Sequence, residues 1–354
     1  MTDRQTEAST RLTRRQALAA GSTLGLAAAG LSVSARAQDA SDTDAVADAE
    51  ADTNRAMMDT PGWARFDLGA ARVTTVLDGE RPGDGPHPTF GMDQEASAMA
   101  ALMRANYLPE TRIVSTFAPT LVELDDNLVL FDTGFGESGR ENGLGKLVER
   151  MATAGYGTDA VTIVVLTHFH GDHIQGLVRQ DGTPVFPNAR YVGGQAEWDY
   201  WTSQEAASGP QAGNAELVAK LLVPLKDRFT FVSDGEAVVT GITAIAAPGH
   251  TPGHMIFEIA SQGQRLMLTA DTANHFVASL QRPQWHVRFD IDKERAAETR
   301  ERVFGRIADE RIPFIGYHMP FPAVGYVERM ADGGFRYIPE SYQLAVANEA
   351  AGGE

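Results

Sequence analysis

The part of the sequence with the most evident chemistry is HFHGDH, residues 168–173, which holds three histidines and one aspartate. A neutral imidazole nitrogen is a good ligand for zinc-like ions, and a carboxylate adds charge and suits harder cations. Packing of a hydrophobic core does not require such a cluster. The segment therefore predicts a metal site, and its four ligand groups could serve two ions.

An apolar run directly before this segment predicts the element that positions it. Residues 161–167 have the composition of a buried strand, so His168 and His170, two residues apart, can point to the same side at its end. A loop through Gly171 would then turn Asp172 and His173 toward a neighbouring position.

Three further ligand-type residues follow strand-like segments in the same manner. His250 follows residues 242–247 within a GHTPGH turn, Asp271 follows the apolar residues 266–268, and His318 follows residues 314–317. We expect all of these side chains at strand ends.

The rest of the chain predicts a mixed α/β domain without internal repeats. Further strands are expected at residues 113–117, 121–124, 128–131, 229–232, 237–239, 242–246, 254–259 and 266–269. Helices are expected at residues 146–154 and 215–222 and, capped by Asp292, up to residue 308. Residues 82–88 are rich in Pro and Gly and predict a loop.

Composition excludes several classes of function. The chain of 354 residues has a formal net charge of −17, which disfavours nucleic acid as a partner because phosphate backbones are repelled. It contains no cysteine, so disulfides, thiolate ligands and a cysteine nucleophile are excluded.

The amino-terminal region predicts export. Residues 1–37 combine the twin arginines Arg14 and Arg15, an apolar stretch and an Ala-Arg-Ala cleavage site, as in a twin-arginine (Tat) signal. Glycine and serine interrupt the apolar stretch, so no stable membrane anchor is expected, and an uncleaved anchor is the alternative. Residues 38–60 predict an acidic disordered linker, residues 61–345 the folded domain and residues 346–354 a flexible tail. The expected location is the periplasm or the exterior, reached through the Tat export machinery.

The ordered motifs resemble those of the metallo-β-lactamase superfamily: a DTG turn at residues 132–134, the HxHxDH loop, the GHTPGH turn, a bridging aspartate and a final histidine. Residues 271–326 resemble the branch that holds methyl parathion hydrolase and related lactonases. The resemblance implies an αββα sandwich of two mixed sheets flanked by helices. The related hydrolases also imply a homodimer.

The same resemblance implies a ligand set for two divalent ions, zinc first, with Mn, Fe or Co as alternatives. One ion would be held by His168, His170 and His250, the other by Asp172, His173 and His318, and Asp271 would bridge them. Independently of the resemblance, we expect Asp132 either to orient the HFHGDH loop or to tie its own DTG turn together, rather than to bind an ion.

The chemistry expected of such a centre is hydrolysis. A zinc-type ion lowers the pKa of bound water to ~7, so metal-bound hydroxide could attack without a serine or cysteine nucleophile. Asp172 would act both as a ligand and as a proton acceptor or donor. A small, mostly neutral ester, lactone or phosphotriester is the expected substrate.

Substrate contacts are predicted at Asn274, His275, Phe276 and Trp285. In the acyl-homoserine lactonases a tyrosine lies three residues after the bridging aspartate, whereas this chain has Asn274 there. The chain departs from that tyrosine-assisted mechanism, and lactone hydrolysis assisted by Asn274 or by metal alone stays open. Two alternatives stay open: β-lactam hydrolysis, and a non-catalytic periplasmic protein that binds metal or a ligand.

Overall fold

The computed structural model describes residues 61–341. The predicted export signal of residues 1–37, the linker of residues 38–60 and the tail of residues 346–354 therefore lie outside the described residues. Within the described range, no helix has the length and apolar character needed to cross a bilayer.

The first sheet has seven strands in the order β1-β2-β5-β6-β7-β8-β9. Its first four strands pair antiparallel, and β6 to β9 pair parallel. The strands are β1 (Trp63–Leu68), β2 (Ala71–Val76), β5 (Thr120–Leu124), β6 (Asn127–Phe131), β7 (Ile163–Val165), β8 (Arg190–Gly194) and β9 (Phe229–Val232).

The second sheet also has seven strands, in simple sequence order. Only β13 and β14 pair parallel in it. The strands are β10 (Ala237–Val239), β11 (Ile242–Ala246), β12 (Met255–Ser261), β13 (Gln264–Ala270), β14 (Phe314–Gly316), β15 (Val324–Arg329) and β16 (Phe335–Pro339).

The two sheets pack face to face through one apolar core. Alternate residues of β6 and β7, such as Val129, Phe131 and Val165, are buried against residues of β12 and β13. The rings of Phe131 and Phe257, one from each sheet, have centroids 5.2 Å apart. The near-continuous apolar runs of these strands are explained by burial on both faces.

Helices cover the outer faces of both sheets. Leu147 and Met151 of α2 pack on the first sheet, and Phe304 of α8 packs on Phe314 of the second with a centroid distance of 5.3 Å. The helices are α1 (Ala96–Ala105), α2 (Leu147–Thr153), α3 (Gly171–Ile174), α4 (Gln195–Trp201), α5 (Gln204–Ser208), α6 (Ala212–Leu221), α7 (Ala278–Gln281) and α8 (Lys293–Glu310). The predicted αββα sandwich is confirmed.

The predicted loop at residues 82–88 is partly wrong. Residues 82–84 belong to β3 (Gly79–Asp84), which pairs with β4 (Arg112–Phe117) as a separate two-stranded ribbon. Proline disfavours central strands because it lacks an N–H donor, but each strand of an isolated ribbon has a free edge where Pro82 is tolerated.

The loops that follow the strands of both sheets open at one edge of the sandwich. Two strand ends there have left-handed backbone at residues with a side chain, Asp132 with φ 60° after β6 and Ala270 with φ 43° at the end of β13. Such backbone is disfavoured for residues other than glycine and is concentrated at functional sites. At Ala270 it turns the chain immediately before Asp271.

Candidate metal centre

Seven ligand-type side chains from separate strand-end loops converge at this edge. The HFHGDH loop follows β7 and runs into α3, while His250, Asp271 and His318 follow β11, β13 and β14. Groups of these side chains place one ligand atom each within 4.8 Å of one another: His168 with His170 and His250, His168 with His173 and Asp271, and Asp172 with His173 and His318.

The first group is a cluster of three imidazoles. His170 Nδ1 lies 3.1 Å from His168 Nε2 and 2.9 Å from His250 Nε2. Burial lowers the pKa of His168 and of His170 well below the ordinary value, so both rings are neutral at neutral pH. A neutral imidazole is the form that coordinates metal.

The second group contains two imidazoles and a carboxylate. Asp172 Oδ2 lies 3.5 Å from His173 Nε2 and 3.6 Å from His318 Nε2. Burial opposes a charge on His173, but Asp271, Asp132 and Asp172 outweigh it and raise the pKa of His173 well above its ordinary value. Nearby carboxylates that raise the basicity of an imidazole also make it a stronger ligand.

Asp271 lies between the two groups and touches both. Its Oδ2 is 3.3 Å from His250 Nε2 and 3.1 Å from His318 Nε2, and its Oδ1 is 3.3 Å from His173 Nε2. Burial opposes ionisation, but His318 and His173 outweigh it and hold the pKa of Asp271 well below its usual range. The carboxylate is therefore charged and faces both halves of the cluster.

Three of the histidine rings form hydrogen bonds through Nδ1 on the side away from the cluster, so their Nε2 atoms point into the cluster. His173 Nδ1 donates to Asp132 at 2.8 Å, His250 Nδ1 to Asp290 at 2.9 Å, and His318 Nδ1 to the carbonyl of Thr116 at 2.8 Å. In its neutral form, a ring that donates through Nδ1 presents a bare lone pair at Nε2.

These residues fit a pair of divalent ions. His173 Nε2 and Asp271 Oδ1 are buried without a hydrogen-bond partner, although buried polar atoms are normally paired. Imidazole lone pairs that meet at 2.9 to 3.1 Å repel one another unless a proton or cation lies among them. Nitrogen and carboxylate donors of this kind suit zinc and related ions.

Asp132 holds the HFHGDH loop in place, which is one of the two roles expected for it from the sequence. Its carboxylate accepts hydrogen bonds from Thr167 N at 2.8 Å and Thr167 Oγ1 at 2.9 Å, in addition to His173 Nδ1. His254 has a related role, because its Nε2 accepts from the backbone N–H of Asp271 at 3.2 Å. Burial lowers the pKa of His254 to about 3, so it stays a neutral acceptor.

Glu197, on α4, is a buried carboxylate that joins the two histidine loops. Oε1 accepts from Phe169 N at 2.8 Å and Trp201 Nε1 at 2.7 Å, and Oε2 accepts from Thr251 Oγ1 at 2.7 Å and Gly253 N at 3.0 Å. Phe169 lies in the HFHGDH loop, and Thr251 and Gly253 lie in the GHTPGH turn. Nothing in the sequence distinguishes Glu197, because a glutamate in a short helix carries no local sign of burial.

Asp290 and Arg300 form a buried support for His250. Asp290 accepts from His250 Nδ1 through Oδ1 and from Arg300 Nη2 at 2.8 Å through Oδ2. Arg300 also donates to the carbonyl of Thr272 at 3.0 Å, next to Asp271. The pair thus fixes ligands that belong to two different loops.

We expect Asp290→Asn to lower metal affinity by about 10- to 100-fold, because residues that orient a metal-binding histidine contribute about that much. Metal titration followed by elemental analysis measures the loss. Asp309→Asn is the matched control, since Asp309 also pairs with an arginine, Arg329 at 2.7 Å, but on the surface. Equal metal affinity in both variants would contradict the assigned role.

A cavity of about 400 Å³ opens above the cluster. Its floor includes His170, Asp172, His250, Asp271 and His318. Its walls are aromatic and polar; they comprise Arg81, Phe90, Ser115, Phe117, Phe135, Gly171, Gln211, Asn214, Asn274, Arg288 and Phe289.

Of the four predicted substrate contacts, the structure brings only Asn274 to the wall of this cavity. Asn274 Nδ2 donates to Asp271 Oδ2 at 2.8 Å. His275 lies behind it, where its Nδ1 accepts from Val277 N and Ala278 N at the start of α7, and burial lowers its pKa to about 4. Phe276 and Trp285 pack in an apolar cluster around Phe90, Met99 and Met103 rather than in the cavity lining.

Several wall residues were missed because they come from distant parts of the sequence. Ser115 and Phe117 lie on β4, and Arg81 lies opposite Ser115 on β3. Phe117 ends a predicted strand, which is the one signal that could have pointed to it. The ribbon of β3 and β4 has no motif that connects it with the metal loops.

The chain is similar in sequence to a known protein family and to curated proteins. A family model described as the metallo-beta-lactamase superfamily matches residues 119–313. A "probable metallo-hydrolase" of Mycobacterium tuberculosis is 31% identical over 185 residues, 44% of this chain and 56% of that protein. The N-acyl homoserine lactonase AiiA of Bacillus thuringiensis subsp. kurstaki is 26% identical over 172 residues, 43% of this chain and 62% of that protein. The chain thus spans little more than half the length of these curated relatives.

Solved structures are similar over a longer range. The dizinc quorum-quenching lactonase AidC, in complex with a product, superposes with a TM-score of 0.74 and 25% identity over 79% of this chain and 98% of its own. The hydrolase AbOPH of the beta lactamase superfamily gives a TM-score of 0.73 and 26% identity over 80% and 99% of the two chains.

Proposed function

We propose that this chain, which belongs to the metallo-beta-lactamase superfamily, is a binuclear metal-dependent hydrolase of small esters, lactones or phosphotriesters. Zinc is the proposed metal. Two divalent ions in the cluster would lower the pKa of water to ~7 and polarise the carbonyl or phosphoryl oxygen of a substrate.

The position of Asp271 carries the proposal. Its carboxylate reaches His250 and His318 through one oxygen and His173 through the other, so a single side chain joins the two groups. We assign His168, His170 and His250 to one ion, and Asp172, His173 and His318 to the other, with Asp271 shared. A purely structural zinc site is usually closed by four ligands and has no need of seven.

Asp172 is the proposed catalytic residue. Its side chain is 21% exposed, faces two histidines at 3.5 and 3.6 Å, and forms part of the cavity floor. A carboxylate in this position can accept a proton from the attacking water and deliver it to the leaving group. The Tyr317 hydroxyl donates a hydrogen bond to the backbone carbonyl oxygen of Asp172 at 2.6 Å, which fixes the backbone that carries this side chain.

We favour the ester bond of a lactone or of another ester as the bond that is hydrolysed. The similarity to the two lactonases supports this choice. Asn274 takes the place of the tyrosine expected in acyl-homoserine lactonases. Its Nδ2 is held by Asp271, whereas its buried Oδ1 has no hydrogen-bond partner among the described residues. An amide so fixed can orient a substrate group, but it lacks the hydroxyl proton of a tyrosine.

Removal of metal is expected to abolish hydrolysis, because the proposed nucleophile is a water molecule whose pKa the metal ions would lower. After dialysis against a chelator, zinc should restore activity in proportion to the metal bound, up to two ions per chain. Elemental analysis alongside initial rates measures both quantities. Full activity at one ion per chain would contradict the binuclear assignment.

A substrate panel distinguishes the proposed function from its alternatives. Lactones, aryl esters, phosphotriesters and β-lactams should be tested with protein reconstituted with Zn, Mn, Fe or Co. Hydrolysis confined to β-lactams would favour the alternative enzyme. One tightly bound metal with no hydrolysis of any compound would favour a binding protein without turnover.

A further inference from the structure

Two arginines share the cavity with the metal cluster. Arg81 lies on β3, and Arg288 lies in the segment between α7 and α8, yet both line the cavity whose floor is formed by Asp172 and Asp271. Since the two residues are remote in sequence, only the fold brings their positive charges to one site.

Both guanidinium groups lie close to aromatic rings. Arg81 Cζ lies 5.5 Å from the ring centroid of Phe117 and 5.9 Å from that of Phe135, and Arg288 Cζ lies 5.3 Å from that of Phe289. All three rings also line the cavity. A cation–π contact of this kind favours a position of the guanidinium beside the ring and leaves N–H groups available.

Within residues 61–341, neither guanidinium makes a hydrogen bond or an ion pair with another residue. Carboxylates are in excess in this chain, 47 Asp and Glu against 30 Lys and Arg, and other arginines do pair with them. Arg265, for example, binds both Glu258 and Glu310, and Arg329 binds Asp309. Two unpaired guanidinium groups over a substrate cavity are therefore placed to receive an anion from outside.

We propose that the substrate carries a carboxylate besides its scissile ester or lactone bond, and that Arg81 and Arg288 bind this carboxylate. The planar guanidinium fork matches a carboxylate with two parallel hydrogen bonds. Ser115, the cross-strand neighbour of Arg81, adds a hydroxyl to the same wall. This inference rests on the proposed hydrolase function and replaces the expected mostly neutral substrate with one that is neutral only at the reacting bond.

Matched pairs of esters test the proposal. One series consists of mono-para-nitrophenyl esters of the dicarboxylic acids from adipate to suberate. The other consists of para-nitrophenyl esters of the alkanoic acids with the same chain lengths. The zinc-loaded enzyme should show a higher kcat/KM for the charged member of a pair, by about tenfold for each of the two charge-assisted contacts and so by about 100-fold in all.

Substitution of the arginines should change the ratio between the two series. In Arg81→Gln and in Arg288→Gln, we expect the charged-to-neutral ratio of kcat/KM to fall by about tenfold each, with Arg81→Lys in between. Arg112→Gln is the matched control, because Arg112 lies on the same ribbon but pairs with Asp84 at 3.2 Å outside the cavity. Its ratio should equal that of the wild type.

Binding provides a readout besides activity. Calorimetry with the zinc-loaded protein should show tighter binding of adipate than of hexanoate, because both can reach the metals with one carboxylate and only adipate has a second. The Arg81→Gln and Arg288→Gln variants should reduce this difference. Added salt should reduce it too, since exposed charges are screened.

The possible outcomes separate this inference from the proposed function. Hydrolysis of both series with equal kcat/KM, or an equal loss for both in the arginine variants, would overturn the carboxylate site and leave the hydrolase standing. Selective adipate binding without hydrolysis of any ester would support the carboxylate site and contradict the hydrolase. A higher kcat/KM for charged esters that depends on both arginines would support both.

Discussion

Asp172→Asn is expected to lower kcat by about 10²- to 10⁴-fold, the range that a positioned proton donor or acceptor contributes. Asparagine keeps the size of the side chain, but its amide cannot take up a proton from water. The Asp172 carboxylate lies 3.5 Å from His173 Nε2 and 3.6 Å from His318 Nε2, so its charge would also support one of the proposed ions. We therefore expect a lower metal content at this half of the centre as well.

The measurement combines kcat, KM and bound metal for the same preparation. Asp199→Asn is the matched control, because Asp199 is an exposed aspartate of α4 whose carboxylate only accepts from Gln195 at 2.8 Å. It should retain wild-type kinetics. If the Asp172→Asn enzyme kept its metal and turned over within a few-fold of the wild type, Asp172 would not be the catalytic residue.

Glu197→Ala is expected to destabilise the fold by about 3 kcal/mol or more, because each buried hydrogen-bond donor left without an acceptor costs about 1 to 3 kcal/mol. The substitution leaves four donors unpaired, at Phe169, Trp201, Thr251 and Gly253. Two of these belong to the GHTPGH turn and one to the HFHGDH loop. Loss of Glu197 should therefore weaken metal binding together with stability.

Urea unfolding with and without zinc measures this effect. Glu216→Ala, an exposed glutamate inside α6, is the control and should change the free energy of unfolding by less than about 0.5 kcal/mol. Glu197→Gln keeps the volume but turns one acceptor oxygen into a donor, so we expect an intermediate loss. A change below about 1 kcal/mol in Glu197→Ala would show that the two loops do not depend on this carboxylate.

Much of the fold was predictable from local patterns. The strand expected at residues 128–131 is β6 (Asn127–Phe131), and the helix capped by Asp292 is α8 (Lys293–Glu310), where Asp292 accepts from Arg295 N at 2.9 Å. Short periodic segments and caps depend on neighbouring residues, so the sequence reveals them directly. Pro82 misled the prediction, because pairing with β4 outweighs the preference of proline for loops.

The predicted substrate contacts show where sequence reasoning ends. Nearness in sequence to Asp271 suggested His275 and Phe276, but a turn of the chain directs them into a helix cap and an apolar cluster. Only Asn274 faces the cavity. Side-chain direction after a strand end is set by the packing of the next element, here α7, which the sequence does not display.

The amino-acid sequence by itself pointed to the candidate metal ligands, because their types and their places after apolar strands are local properties of the chain. Only the tertiary structure decided that Asp271 lies between the two histidine groups and that Glu197 and Asp290 support them from behind. It also decided that Arg81 and Arg288 line the same cavity. Such contacts join residues far apart in the chain, and the packing of two sheets and their helices, rather than any motif, brings them together.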